Sequence, residues 1–340
     1  MGEYDICFCG DLYAEEPSKL SIGESLKALF KRCKLRVANL ETPIVIDPLA
    51  KPMNKYSALK TTPDVLKFLK QMQTSAVSLA NNHIMDYGPK SAEDTARLLR
   101  QELIKCYGYG QTIDEAYQPA TVEVRGVKVG LVGVTTTFAP EALVKKNKPG
   151  VAGLTVITKI NIDPREVLEE PAAPYIVGGE VLKEDLDLLR RAIKESKRDN
   201  DFVAAQIHWG AGLSPYNEVV LDYVKGLGEF LVDVGCDIVI GGHPHTIQPV
   251  NVYKGKFVTY SLGNFIFHPI MGPMENKGMI LAKNLGEPGA DLYFVEQIEN
   301  EVELLDDVSQ NPKLAYFKYQ SEKNGVHLLD EGSHFSVKVS

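Results

Sequence analysis

Residues 202–245 read FVAAQIHWGAGLSPYNEVVLDYVKGLGEFLVDVGCDIVIGGHPH. Phe202 to Ile207 is an apolar run of strand length. From Asn217 to Val234, Val220, Tyr223, Val224, Leu227, Leu231 and Val234 recur at the spacing of one helix face. Asp237 to Ile240 reads as a second strand. Histidine follows both strands, His208 after the first and His243 and His245 after the second. Strand, helix, strand predicts an α/β layered domain with helices covering the sheet. Ligands in such folds gather at the carboxyl ends of strands, where these imidazoles stand.

The same alternation extends toward the N-terminus. Tyr4 to Cys9, Leu35 to Leu40 and Ala76 to Ala80 read as strands. Ile22 to Cys33 and Pro63 to Gln73 read as helices. A further helix starts near Pro89, with Ala92, Ala96, Leu99 and Leu103 on one stripe. Val122 to Val124 and Val127 to Val134 flank a hairpin turn at Arg125-Gly126, and Lys254-Gly255 joins a second hairpin. Leu182, Leu186, Leu189 and Ile193 mark one more helix. The pattern breaks over 138–179, read as an excursion or lid. Two units are expected: a main domain over 4–285, and a β-rich C-terminal extension over 286–340 packed on it.

The chain has 340 residues and a net charge of −8, from 37 basic and 45 acidic side chains. Hydrophobic residues at 44% and charged residues at 24% are globular proportions. With no basic run, nucleic acid is not an expected partner. No apolar run reaches a membrane span, and no signal peptide is visible. With neither segment seen, a cytoplasmic location is expected, and five cysteines without a CxxC pair point to a reducing compartment.

Polar residues recur after the strands. Asp11 lies in CGDLYAE, Glu41 in ANLETP, and Asn81, Asn82 and His83 in SLANNHIMDYG. His208 lies in QIHWG, His243 and His245 in GGHPHTIQP, and Asn264 in YSLGNFIF. Each alone has an ordinary reading: a turn former, a loop carboxylate, a packed interior histidine. As a set they are the imidazole, carboxylate and amide ligands that suit divalent first-row metals. Gly241-Gly242 supplies a tight turn, and Pro244 stiffens the one after it.

The ordered series GD, NLE, ANNHxxDxG, HWG, GGHPHxxQP and SLGNF resembles the bacterial capsule synthesis proteins of poly-γ-glutamate biosynthesis (CapA type, PGA_cap). The segments KPMNKYSALKTTPDVLKFL and GYGQTIDEAYQPATVEVRGVKVGLVG fit the same family, whose members in turn resemble calcineurin-like metallophosphoesterases. The resemblance runs from about Tyr4 to His268. It implies a metallophosphoesterase-like layered β-sandwich flanked by helices, with a dinuclear site at the strand ends.

Carried over residue by residue, Glu41 bridges the two metals. Asp11 and His245 lie on one ion, and Asn82, His208 and His243 on the other. His83 faces substrate as the catalytic acid or charge stabiliser. Asp86 orients His83 or caps the next helix, and Asn81 is structural. Trp209 and Asn264 are candidate substrate contacts, each with a packing or loop-holding alternative.

The implied cofactors are two divalent ions (Mn, Fe or Zn). The wider phosphoesterase pattern has Asp-x-His first, whereas here Tyr13 stands two after Asp11, so one metal site is expected to be weaker. The implied function is metal-dependent hydrolysis of a phosphoester or related anionic substrate, small or polymeric. The alternative is a non-catalytic binding or export component of poly-γ-glutamate or envelope-polymer synthesis. Family members are often membrane-associated; their usual anchor is not seen in this sequence.

Overall fold

The computed structural model describes residues 2–161, 163–170, 176–214, 216–268 and 276–338. The first half contains β1 (Tyr4–Tyr13), α1 (Glu24–Arg32), β2 (Cys33–Leu40), α2 (Val65–Gln71), β3 (Ala76–Ser78), α3 (Gly88–Gln101), β4 (Lys105–Tyr107), β5 (Ala120–Val124) and β6 (Val127–Thr135). The second half contains α4 (Lys183–Asp199), β7 (Phe202–His208), α5 (Asp222–Asp233), β8 (Ile238–Gly242), β9 (Val250–Tyr253) and β10 (Lys256–Thr259). After these come β11 (Asn264–Phe267), β12 (Lys277–Lys283), β13 (Ala290–Ile298) and α6 (Pro312–Lys323).

Among the described residues two main sheets form, beside two short strand pairs. The larger, of eleven strands, contains the run β13-β12-β1-β2-β3-β4, with β11 also paired to β1. The smaller runs β9-β10-β8-β7-β6-β5. Strand alternation divides the side chains between layers. Ile6 and Phe8 of β1 face inward and meet Leu131, Ala204, Ile240 and Phe257 from the smaller sheet. Cys7 and Cys9 face the other way, where α1, α2 and α3 bury Leu26, Phe30, Phe68 and Leu99. On the far side, α4 and α5 bury Leu189, Ile193, Leu227 and Leu231 against Val203 and Val239. Helix, sheet, sheet, helix is the layered sandwich flanked by helices that the sequence predicts.

Several details differ from the sequence reading. Leu103 leaves the α3 stripe and is 88% exposed, because the chain reverses there at φ 61°. The helix expected from Asn217 begins at Asp222. The buried Gln248 amide donates to the carbonyls of Asn217 at 2.7 Å and Val219 at 3.3 Å, holding that stretch out of the helix. The broken pattern over 138–179 contains an antiparallel strand pair, Val156–Asn161 with Ile176–Val181; residues 162 and 171–175 of that stretch lie outside the described residues.

The C-terminal stretch read as β-like contains α6. The Asn311 side chain caps it by accepting from Lys313 N at 3.1 Å, and Pro312 opens it. Leu314 and Phe317 of α6 join the inter-sheet core beside Phe294 and Phe335. Both hairpin turns form as read: Arg125-Gly126 and Lys254-Gly255 have the paired positive φ of tight two-residue loops.

The cysteines do not all remain thiols. Cys7 is bonded to Cys33, the first residue of β2, while Cys9, Cys106 and Cys236 are free. Parallel pairing of β1 with β2 brings the two together, a contact that spacing along the chain does not show. Such a bond persists in oxidising surroundings, which runs against the expectation of a reducing compartment. Unfolded without reductant, the protein should titrate three thiols, rising to five after reduction. Five without reductant would remove the pairing. Among the described residues, no helix is long and apolar enough to cross a membrane.

Candidate metal centre

The sheets bring their polar strand ends to one place. In the larger sheet Asp11 pairs in register with Asn39 of β2 on one side and Asn264 of β11 on the other. In the smaller sheet His208 closes β7 opposite Gly242, the last residue of β8. The Asp11 carboxylate bridges the sheets: Oδ1 accepts from Asn39 Nδ2 and Oδ2 from the His243 backbone N–H, both at 2.8 Å.

Three potential ligand atoms crowd His208 Nε2. Asn82 Oδ1 lies at 2.8 Å, His243 Nδ1 at 3.1 Å and Glu41 Oε1 at 3.2 Å. His245 Nε2 lies 3.7 Å and His83 Nε2 4.0 Å from the same Glu41 oxygen. Ligands about 2.0–2.2 Å from one ion stand roughly 2.9–3.4 Å apart along the edges of a tetrahedron or octahedron. The separations around His208 Nε2 are close to those edges. Glu41 is fully buried and neither of its carboxylate oxygens has a hydrogen-bond partner. Leaving such a group unpaired is costly, and a cation is the partner that would satisfy it. The donor set therefore fits divalent metal.

Among the acidic and imidazole side chains, Glu41, His243 and His245 form one close group, and Asp11, Glu41 and His208 another. Glu41 belongs to both. Burial pushes the Glu41 carboxyl well above the usual range. It also lowers His208 to about 4 and His243 well below its ordinary value. Neutral imidazoles are the ligating form.

The turn bearing two of the histidines is strained. His243 and His245 have φ of 95° and 55°, while Gly241 and Gly242 do not adopt positive φ. The strain thus falls on the histidines, at a cost on the order of 1–3 kcal/mol each. The Asp11–His243 N–H bond and the Asn264 Oδ1 contact to His245 Nδ1, at 2.9 Å, hold them. Gly242 is required for space rather than for turning: a Cβ there would lie 2.6 Å from Asp11 Oδ1. Gly242→Ala should therefore displace Asp11, weaken Mn²⁺ binding at least tenfold and destabilise the fold by about 1–3 kcal/mol. Calorimetric titration with Mn²⁺ and a thermal melt measure both, and unchanged affinity would contradict the placement of Asp11.

His83 stands beside this group. Its Nδ1 lies 2.6 Å from Asp86 Oδ2, which also accepts from Leu59 N at 2.6 Å. Asp86 Oδ1 receives Lys55 Nζ at 2.7 Å, and the same ammonium donates to Asn82 O at 2.7 Å. Asp86 thus orients His83 and leaves the helix cap to Tyr87, whose side chain makes no capping bond. Burial lowers His83 to about 4, outweighing the opposing pull of Asp86. Asn81 is structural: its Oδ1 accepts from His83 N and Ile84 N, and its Nδ2 donates to Asn39 Oδ1 and Leu40 O.

For Trp209 and Asn264 the geometry favours the packing and loop-holding alternatives. Trp209 is fully buried in the core under α5, and its Nε1–H donates to Tyr260 O at 2.7 Å. Asn264 is 1% exposed and positions His245. Tyr13, in place of the missing histidine, packs its ring on Phe267 at 5.2 Å between centroids. Sequence reasoning missed Asn39 and Lys55. Asn39 lies inside the quoted NLE motif, while Lys55 comes from a loop that the strand-end rule does not reach.

Among known proteins, the PGA biosynthesis protein CapA of Bacillus subtilis (strain 168) is 29% identical over 254 residues, covering 74% of this chain and 58% of its own length. The capsule biosynthesis protein CapA of Bacillus anthracis is 27% identical over 231 residues, covering 67% and 49%. The chain spans about half the length of these relatives. A solved hypothetical protein from Thermus thermophilus aligns over 87% of this chain and 95% of its own, with a TM-score of 0.46 and 16% identity. Residues 5–269, which hold every side chain gathered at the strand ends, match the bacterial capsule synthesis protein PGA_cap, and the chain belongs to that family.

Proposed function

We propose that this chain is a metal-dependent hydrolase of phosphoester or related anionic substrates. The observation that carries this is Glu41, a buried carboxylate with no hydrogen bond to either oxygen, set among the imidazoles of His208, His243 and His245. Asp11, Asn82, His208, His243 and His245 would hold two divalent ions, with Glu41 shared between them. Mn, Fe and Zn all suit such donors. Bound divalent ions supply Lewis acidity toward a phosphoryl oxygen and lower the pKa of water. Asp11 and Asn264 keep the strained histidine turn in place. His83 Nε2 points toward the centre while Asp86 and Lys55 hold the far side of its ring, so Nε2 is the atom positioned to hold or pass a proton at the leaving oxygen.

The test is metal content and hydrolysis of an aryl phosphomonoester and an aryl phosphodiester after Mn²⁺ loading. Metal uptake with turnover of either supports the reading; protein that takes up no metal and cleaves neither overturns it. The second reading, a non-catalytic binding component of poly-γ-glutamate or envelope-polymer synthesis, is favoured by Tyr13, which fills the usual histidine position with a packed ring. Its test is equilibrium binding of polyglutamate with and without chelator, and binding in neither condition removes it. The names of the two CapA relatives are consistent with either reading.

A further inference from the structure

A cavity of about 570 Å³ opens beside the turn that carries His243 and His245. Thr246 and Ile247, directly after His245, form one wall. Glu218 to Val220 form another, pinned by the Gln248 amide on the carbonyls of Asn217 and Val219. Helix α6 closes the third side with Leu314, Tyr316 and Phe317. The volume is in the range of sites that take small organic ligands, about 300–1,000 Å³.

The lining has two characters. Half-buried Val220 and Ile247 offer apolar surface over the buried Leu314 and Phe317, and Tyr316 and Val219 stand 58% and 53% exposed. Lys225, Lys277 and Lys313 face one lining carboxylate, Glu218, among the described residues. In a chain of net charge −8 this is a local reversal of sign. The nearest ion pairs are long: Lys225 to Asp222 and Lys277 to Glu296, each 3.4 Å. Such partially exposed pairs are weak and leave the Lys225 and Lys277 ammonium groups able to engage a ligand.

We infer that this cavity binds an organic anion with an apolar body, the body against α6 and Ile247 and the charged group toward the lysines. The inference goes beyond the hydrolase reading and does not depend on metal at the neighbouring centre. The probe is 8-anilinonaphthalene-1-sulfonate, titrated into the full chain and followed by emission. One saturable site per chain is expected, weakened severalfold by 0.5 M NaCl as the lysines are screened. Lys225→Glu combined with Lys277→Glu should lower affinity by about tenfold or more, a loss of about 1.4 kcal/mol. Lys159→Glu, outside the cavity lining, should leave affinity within about twofold. N-phenyl-1-naphthylamine, the same body without the sulfonate, should bind at least about tenfold more weakly.

A melt of each variant separates loss of the site from loss of the fold. Should the double reversal melt early, Lys225→Gln with Lys277→Gln takes its place. Absence of saturation, affinity indifferent to the lysine changes, or equal binding of the neutral analogue would each overturn the inference.

Discussion

Stripped of metal, a Glu41→Gln variant is expected to be more stable than its parent by about 1–2 kcal/mol, and with Mn²⁺ present the order should invert. Glu41 is fully buried and neither of its oxygens has a hydrogen-bond partner. Burial raises its carboxyl well above 4.5, so in the metal-free protein the group takes up a proton on folding. The sign follows from linkage. Below the unfolded value of 4.5 the group is protonated in both states and costs nothing extra. As pH climbs through the window between 4.5 and the raised folded value, the unfolded state ionises freely and the folded state cannot, so stability drains away. A glutamine carries no such charge, and its advantage should therefore open above pH 4.5 and widen toward neutrality.

His208 and His243 act in the opposite sense. Burial depresses both, so their contribution is present above 6.5 and is lost as pH falls toward about 4 for His208 and further for His243. Both proteins share that term, and it cancels in the comparison. With Mn²⁺ at about 100 times its dissociation constant the parent gains roughly 2.7 kcal/mol, while the variant, lacking the shared carboxylate, gains little. Melts across pH, with chelator and with Mn²⁺, measure the crossing. A variant that retains the parent's Mn²⁺ affinity would refute the central place given to Glu41.

Much of this arrangement is legible before any coordinates. Regular strands carry their terminal residues to one rim, so Asp11, Glu41, Asn82, His208, His243 and His245 can be picked out by position after a strand. What escapes that rule comes from irregular chain. Lys55 lies between Glu41 and α2 in a loop with no period. Its course is set by tertiary bonds: Met53 N to Asp86 O at 2.7 Å, Leu59 N to Asp86 Oδ2 at 2.6 Å, and the Ile44–Thr61 bridge. Nothing local in KPMNKYSALK encodes those partners.

Trp209 illustrates the reverse case. Its position beside His208 suggests a pocket, but strand alternation sends the indole to the opposite face, under α5, where Tyr260 O takes its N–H. The α6 helix is obscured by its own composition: Tyr316, Phe317 and Tyr319 look strand-like, while its burial rests on Leu314, Phe317 and Ser321 at helical spacing.

His83→Gln is expected to keep the parent's metal content while lowering turnover of an aryl phosphate by about 10²–10⁴. Its Nε2 lies 4.0 Å from Glu41 Oε1, whereas three other ligand atoms stand within 3.2 Å of His208 Nε2, so His83 borders the cluster without being packed into it. Asp86 accepts at 2.6 Å from His83 Nδ1. A carboxylate there requires the proton on Nδ1, which leaves a lone pair on Nε2 facing the centre. Asp86→Asn removes that requirement, because an amide can offer N–H to Nδ1 and shift the proton to Nε2. The ¹⁵N shifts of the His83 ring should report the tautomer directly, with kcat falling and KM and metal content near the parent's. A purely structural role for Asp86 predicts something else: an early melt with the tautomer unchanged. Equal loss of metal in His83→Gln would place His83 among the ligands and take away its role at the leaving oxygen.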